Sequence, residues 1–279
     1  MHIEDREVCN WIRDKFEAIQ FIEQTEGERI HMYTRLNWAH QWGAFMSQKF
    51  NTMKRFGLEG CESFVPGLKF CIDSCVEEGA RTFVIGMAHR GRLNTLANVV
   101  RKPMEVIMAE FQGITPRAGA ETVNASAGDV KYHLGTTFRR RYGESGHEVK
   151  LTLMANPSHL EAVNPCVAGR ARAEQHFLGG KHEDRQTVVP IVIHGDAAVA
   201  GQGIVYECLQ MESLQNYTVG GTIHVVINNQ VGFTTTPDKA RSSTYCSEVA
   251  TTISAPIFHV NAHSMDDVAN AFRIAAQYR

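Results

Sequence analysis

No uninterrupted apolar stretch in this sequence approaches the roughly 18 residues of a membrane-crossing helix, which excludes insertion into a bilayer by helix. A strong charge of one sign is also missing. The formal net charge of −2 gives no reason to expect nucleic acid or a membrane surface as the main partner. The seven cysteines (9, 61, 71, 75, 166, 208 and 246) are dispersed and odd in number. That argues against a secreted disulfide framework and for a reducing compartment. Cys71 and Cys75 stand four apart, but no second Cys/His pair has zinc spacing, so buried or partly buried free thiols are expected. There is no Gly-x-x-x-x-Gly-Lys-Ser/Thr loop, and Gly201-Gln202-Gly203 lacks the third glycine of a dinucleotide fingerprint. Ser158 and His159 are sequence neighbours outside any Gly-x-Ser-x-Gly elbow. Charges at Glu4, Asp5, Arg6 and Glu7 exclude a signal peptide, and no internal repeat appears.

What is present is an ordinary globular composition, 43% hydrophobic and 21% charged over 279 residues, enough for a sizeable core in one or two domains. Residues 5–21 form an amphipathic helix with Val8, Trp11, Ile12, Phe16 and Ile19 on one stripe. Residues 56–63 make a turn into another helix, and helical patterning continues to about residue 80. From residue 81 strands and helices alternate. Strands are expected at 82–88, 150–155, 187–193, 222–227 and 256–261, with helices at 161–177, 203–214 and 265–278. Residues 112–129, rich in Gly, Ala and Thr, read as an exposed loop. The expected fold is α/β, a doubly wound, mostly parallel sheet over 81–279 behind a helical N-terminal segment over 1–80. Both ends read as cuts from something larger.

Two strand ends carry the chemistry. The strand at 187–193 runs into His194-Gly195-Asp196-Ala197-Ala198, and that at 222–227 into Asn228-Asn229-Gln230-Val231-Gly232. In parallel sheets ligands bind beyond the carboxyl ends of strands. Each cluster alone is ordinary turn chemistry, but the 33 residues between Asp196 and Asn229 fit one strand–helix–strand crossover. The Asp196 carboxylate, the Asn229 amide oxygen and the Val231 carbonyl are hard donors suited to magnesium. Ala197, Ala198 and the small residues after them let a diphosphate approach the backbone at a helix start. Further polar clusters follow the other strands: His89-Arg90-Gly91-Arg92, Lys131-Tyr132-His133 after the loop, and Asn156-Pro157-Ser158-His159-Leu160-Glu161. His89 and His133 can hydrogen-bond a carboxylate while Arg90 or Arg92 supplies fixed charge. The alternative for the arginines is pairing with sheet-edge carbonyls or Glu161.

These segments, together with Lys54-Arg55-Phe56-Gly57-Leu58-Glu59-Gly60-Cys61, Phe233-Thr234-Thr235 and Ala240-Arg241-Ser242-Ser243, resemble the first component of 2-oxoglutarate dehydrogenase along essentially the whole chain. The resemblance implies the thiamine-diphosphate-binding fold, with thiamine diphosphate and Mg2+ as cofactors. It implies metal ligation by Asp196, Asn229 and the Val231 carbonyl, and a cofactor-lining role for Ser158, Leu160, Ala197 and Ala198. His89 and His133 match the catalytic histidines that contact a 2-oxo acid, with Arg90 beside them in the substrate site. The implied reaction is decarboxylation of 2-oxoglutarate and transfer of the succinyl group to the lipoyl group of the second component, dihydrolipoyl succinyltransferase. Dihydrolipoyl dehydrogenase completes that complex, the first component is a homodimer, and the compartment is the mitochondrial matrix (the cytoplasm in a bacterium). Lys131-Tyr132-His133 favours 2-oxoglutarate over the alternative, 2-oxoadipate. No residue matches the glutamate that activates the cofactor's aminopyrimidine, which belongs to a pyrimidine-binding domain not in this sequence. A non-catalytic cofactor-binding module is therefore a second reading. Trp38-Ala39-His40-Gln41-Trp42-Gly43 and His263-Ser264 depart from the family's usual acidic pattern.

Overall fold

The computed structural model describes residues 2–19, 24–113, 132–142 and 146–279, and the side chains of all these except 182–184. Most of the expected 112–129 loop, and Lys131, lie outside the described residues. The fold is mixed α/β around a five-stranded, mostly parallel sheet of order β2-β3-β1-β4-β5. The strands are β1 (Thr82–Met87), β2 (Thr136–Tyr142), β3 (His147–Leu153), β4 (Val188–Gly195) and β5 (Ile223–Ile227). β3, β1, β4 and β5 are mutually parallel, and β2 closes one edge antiparallel to β3.

Three helices precede the sheet: α1 (Arg6–Ile19), α2 (Glu26–Lys49) and α3 (Phe64–Glu77). α1 starts on Asp5, whose carboxylate accepts from the Glu7 and Val8 amides. α2 starts in a capping box, with Thr25 Oγ1 accepting from Glu28 N while Glu28 Oε2 accepts from Thr25 N. The short α4 (Arg92–Asn94) runs into a wide turn at Thr95–Val99, and α5 (Met104–Phe111) follows. α6 (Val163–Leu178) and α7 (His182–Thr187) lead to β4; α8 (Asp196–Val199) and α9 (Gly203–Gln210) lead to β5. α10 (Pro237–Ala240) and α11 (Met265–Tyr278) complete the chain.

The core divides on the two faces of the sheet because alternate strand residues point opposite ways. Phe83, Ile85 and Met87 of β1, with Leu151 and Leu153 of β3, pack against Val65, Leu68 and Ile72 of α3. Val84 and Val192 pack against Val163, Val167 and Ala171 of α6. α11 lies close on α3 at Gly67, where a Cβ would stand 2.6 Å from Val268 Cγ1, so a larger residue would push the helices apart.

Two expectations change. Residues 256–261 are not a strand: they form no ladder with any strand among the described residues, and β5 stands at the edge of the sheet. The fifth strand is β2 instead. Its Thr-Thr-Phe-Arg-Arg-Arg-Tyr sequence alternates half-buried and exposed, as an edge strand with one covered face does.

Candidate functional site

The parallel register explains why scattered motifs share one place. Gly195 aligns with Ile227, and Met87 with Ile193. Asp196 is thus one residue beyond its strand end and Asn229 two beyond the neighbouring one, with strands spaced about 4.8 Å apart. His89 follows β1, and Asn156, Ser158 and Leu160 follow β3, at the same edge of the sheet.

Asp196 opens α8 and is buried, 3% exposed. Its Oδ2 lies 3.6 Å from Arg241 Nη1. Burial, with Glu62 and Asp196 adding negative charge, pushes the Cys61 thiol up. Burial also raises the Cys246 thiol, opposed by Arg241 and assisted by Asp196. Both thiols therefore stand within electrostatic reach of the carboxylate. Asn229 donates from Nδ2 to the Glu59 carbonyl at 3.3 Å, while its Oδ1 is buried with no hydrogen-bond partner among the described residues. The loop that carries it is strained, since Gln230 (φ +60°) and Phe233 (φ +52°) both occupy the left-handed region without being glycine. Val231 is exposed, and a Cβ on Gly232 would come within 3.4 Å of Ala197 Cβ, so the β4 and β5 loops touch.

A buried carboxylate and a buried, unpaired amide oxygen at adjacent strand ends form a donor set for a hard cation. Ala197 and Ala198, in the first turn beyond Gly195, leave the backbone accessible. That turn belongs to a four-residue helix, so the approach of a diphosphate rests on small side chains more than on a helix dipole. The residues present thus fit magnesium and a diphosphate.

The histidines stand close together on the neighbouring strand ends. The rings of His89 and His133 are 5.2 Å apart, and His133 Nε2 is buried without a hydrogen-bond partner among the described residues. Phe56 packs 5.1 Å from His89 and 5.2 Å from Tyr132. Arg90 donates to the Gly57 carbonyl at 3.3 Å. Arg92, the other candidate for fixed charge, is a structural residue. It is fully buried and donates to Met87 O (2.9 Å), Leu134 O (2.9 Å) and Met154 O (2.6 Å), tying three chain segments together. Burial lowers its pKa to about 10. The pairing with sheet-edge carbonyls is what the fold uses it for. Ser158 and Leu160 are exposed at the end of β3, on the segment leading into α6.

Two further features were named in the sequence but given no part in the site. The turn at residues 56–61 reaches several parts of the site: Phe56 packs on His89, Gly57 O accepts from Arg90, Glu59 O accepts from Asn229, and Cys61 lies within electrostatic reach of Asp196. Gly91 (φ +73°) makes this contact possible, since its amide donates to Phe56 O and a Cβ there would meet Leu58 Cδ2 at 2.5 Å. The second feature is a chain of hydrogen bonds running from buried Glu161 and His194 out to His224 on β5. Glu161 Oε2 accepts from His194 Nδ1 at 2.6 Å, and His194 Nε2 lies 2.9 Å from His224 Nδ1. With Nδ1 of His194 donating to the carboxylate, its Nε2 and His224 Nδ1 share one proton between them. Glu161 holds an unusual backbone (φ +69°), secured by that bond and by Asn164 Nδ2 at 2.9 Å. It anchors the Ser158–Leu160 segment to the strand that carries Asp196.

Mitochondrial 2-oxoglutarate dehydrogenase of Dictyostelium discoideum is 51% identical over 279 residues, all of this chain and 27% of the relative. That of Saccharomyces cerevisiae is 48% identical over 278 residues, with the same coverage of both chains. The mitochondrial 2-oxoglutarate dehydrogenase-like protein of Rattus norvegicus is 46% identical over 279 residues, again 27% of the relative. The chain therefore spans about a quarter of the length of these relatives. Residues 35–279 match the family described as dehydrogenase E1 component, and the chain belongs to that family.

Proposed function

We propose that these residues form the magnesium–diphosphate half of a thiamine-diphosphate-dependent 2-oxoglutarate dehydrogenase first component, on a doubly wound diphosphate-binding fold. The observation that carries the reading is the pair Asp196 and Asn229 at adjacent parallel strand ends, with Asn229 Oδ1 buried and unpaired. Asp196, Asn229 and the Val231 carbonyl hold Mg2+; Ser158, Leu160, Ala197 and Ala198 line the cofactor. When bound, thiamine diphosphate supplies the electron sink for decarboxylation of a 2-oxo acid. His89 and His133 receive the substrate's carboxylate, Arg90 adds fixed charge, and the aromatic wall of Phe56 and Tyr132 excludes water from the pair. The relatives' names support 2-oxoglutarate as substrate and the mitochondrial matrix as compartment. On the same reading the succinyl group passes to dihydrolipoyl succinyltransferase, with dihydrolipoyl dehydrogenase in the complex and the intact protein a homodimer.

The functional division is a helical segment over 1–80 and the diphosphate-binding unit over 81–279. No residue in these 279 matches the activating glutamate, so they alone should show no turnover. Titration of Mg2+ and thiamine diphosphate into the intact protein tests the site. Asp196→Ala should weaken metal binding at least about tenfold, as loss of one charged ligand does. Unchanged affinity would refute the assignment. Turnover of 2-oxoglutarate against 2-oxoadipate decides the substrate, and a clear preference for 2-oxoadipate would overturn the choice made here.

A further inference from the structure

Arg241 follows α10, with an extended backbone (φ −156°, ψ 153°), and its side chain reaches the residue that opens α8 after β4. Its side chain is 12% exposed. Nη1 stands 3.6 Å from Asp196 Oδ2, an ion pair too long to be a hydrogen bond. Nε and Nη1 are both buried, and neither donates to an acceptor among the described residues. Nearby, Asn229 Oδ1 is also buried and accepts nothing. The site thus holds unpaired donors and an unpaired acceptor that do not satisfy each other. Arg92 gives the contrast within the same fold: where a buried guanidinium is structural, three carbonyls converge on it.

Unpaired acceptors call for a cation, and unpaired guanidinium N–H groups call for an anion. A metal–diphosphate pair supplies both. We propose that Arg241 is the stand-in cation of this site, offsetting Asp196 while no metal is bound and released to the negative charge of the cofactor's diphosphate when a metal takes its place. The proposal rests on the reading of Asp196 and Asn229 as the metal site. It makes Arg241 a positioning residue with opposite effects on the two ligands. A guanidinium beside the carboxylate repels a divalent cation and must give way to it, whereas the same charge attracts the diphosphate. A residue that merely held the loop in shape would, when lost, weaken both.

The test measures each ligand separately in the intact protein. Mn2+ binding without cofactor is read from the electron paramagnetic resonance signal of free Mn2+. Thiamine diphosphate binding in the presence of a chelator is read by calorimetry. Arg241→Gln should bind Mn2+ about tenfold more tightly and metal-free thiamine diphosphate about tenfold more weakly, as removal of a unit charge 3.6 Å from the Asp196 carboxylate implies. Arg241→Lys, which keeps the charge, should stay near wild type in both. Arg241→Met repeats the charge removal should the glutamine variant not fold. Unchanged or weakened Mn2+ binding on removing the charge would overturn the proposal while the metal site stands. If Asp196→Asn also leaves Mn2+ binding at the wild-type level, the metal-site reading itself fails and the proposal with it.

Discussion

Lys69 offers a test of the fold's electrostatics in which the expected sign is unusual. It lies on α3, 2% exposed, with Asp73 Oδ1 3.7 Å from its ammonium. That carboxylate is shared, since Arg140 Nη2 stands 2.8 Å and Arg35 Nη1 3.7 Å from it. Burial lowers the Lys69 pKa to about 7; Asp73 opposes the shift, and Arg140, Arg35 and Arg101 add to it. The unfolded lysine keeps its ordinary value near 10.5. Between pH 7 and 10.5 the unfolded chain therefore holds a proton that the native chain lacks, and stability rises with pH. Below pH 7 both states are protonated and the full penalty of the buried charge remains. Integrated from pH 6 to pH 9, the gain is about 2–3 kcal/mol, at about 1.4 kcal/mol per unit of differential proton binding. For a chain of this size that is about 4–5 °C in melting temperature. Lys69→Met keeps the buried stem and removes the charge, leaving Asp73 paired with both arginines. The variant should melt above wild type at pH 6, by an amount that shrinks as pH approaches 10. Urea or thermal unfolding of both proteins across pH 6–9 measures it. A variant less stable than wild type at pH 6, or a difference independent of pH, would refute the reasoning.

Arg92→Met should cost about 3–5 kcal/mol in urea unfolding, because three carbonyls lose a charged donor at once; a loss under about 1 kcal/mol would contradict the assigned role. Gly91→Ala should cost about 2–3 kcal/mol, combining a left-handed alanine with a Cβ 2.5 Å from Leu58 Cδ2. The same variant should weaken Mg2+ binding, because the displaced 56–61 turn carries the carbonyl that Asn229 holds. Glu161→Ala should destabilise by about 3 kcal/mol by leaving buried His194 without its acceptor, and Glu161→Gln by less because an amide oxygen can replace it. Equal losses in the two Glu161 variants would show that the carboxylate's charge, not its acceptor geometry, matters.

The parts of the fold that were legible are those where one local pattern decides the outcome. β1 and β4 are continuous β-branched or apolar runs, buried on both faces as such runs in a parallel sheet are, while β5, at the sheet edge, is a β-branched run broken only by His224. Their polar ends then had to lie together at one edge, which is why Asp196, Asn229 and the histidines could be grouped before any coordinates. β2 was illegible for the opposite reason. Three consecutive arginines hide its alternation, and its pairing depends on β3 across a hairpin rather than on its own composition. Residues 256–261 read as a strand because Ile257, Phe258 and Val260 have strand character, but side-chain character alone does not make the backbone hydrogen bonds of a ladder. The departure at His263-Ser264 has a local explanation, since Ser264 Oγ accepts from Asp267 N and starts α11. The role of Arg92 could be posed as two alternatives in sequence, and only the third dimension shows three carbonyls around it.

The turn at residues 56–61 shows why half of a site's logic escapes motif reading. Its side chains carry no recognisable ligand set, and what it contributes is largely backbone: the Gly57 carbonyl for Arg90, the Glu59 carbonyl for Asn229, the Phe56 carbonyl for the Gly91 amide. By occupying Nδ2 of Asn229, Glu59 O orients the amide so that Oδ1 is left as the free acceptor. The orientation of the second proposed metal donor thus depends on a carbonyl 170 residues away in sequence. The same turn packs against the histidine pair, so a shift of the turn moves Asn229 and the histidines, the proposed metal and substrate groups, together. Mutations in its backbone-determining residues, Gly57, Gly60 and the supporting Gly91, should therefore impair metal binding and substrate binding in parallel. Mutations of Asp196 or His89 should affect one without the other.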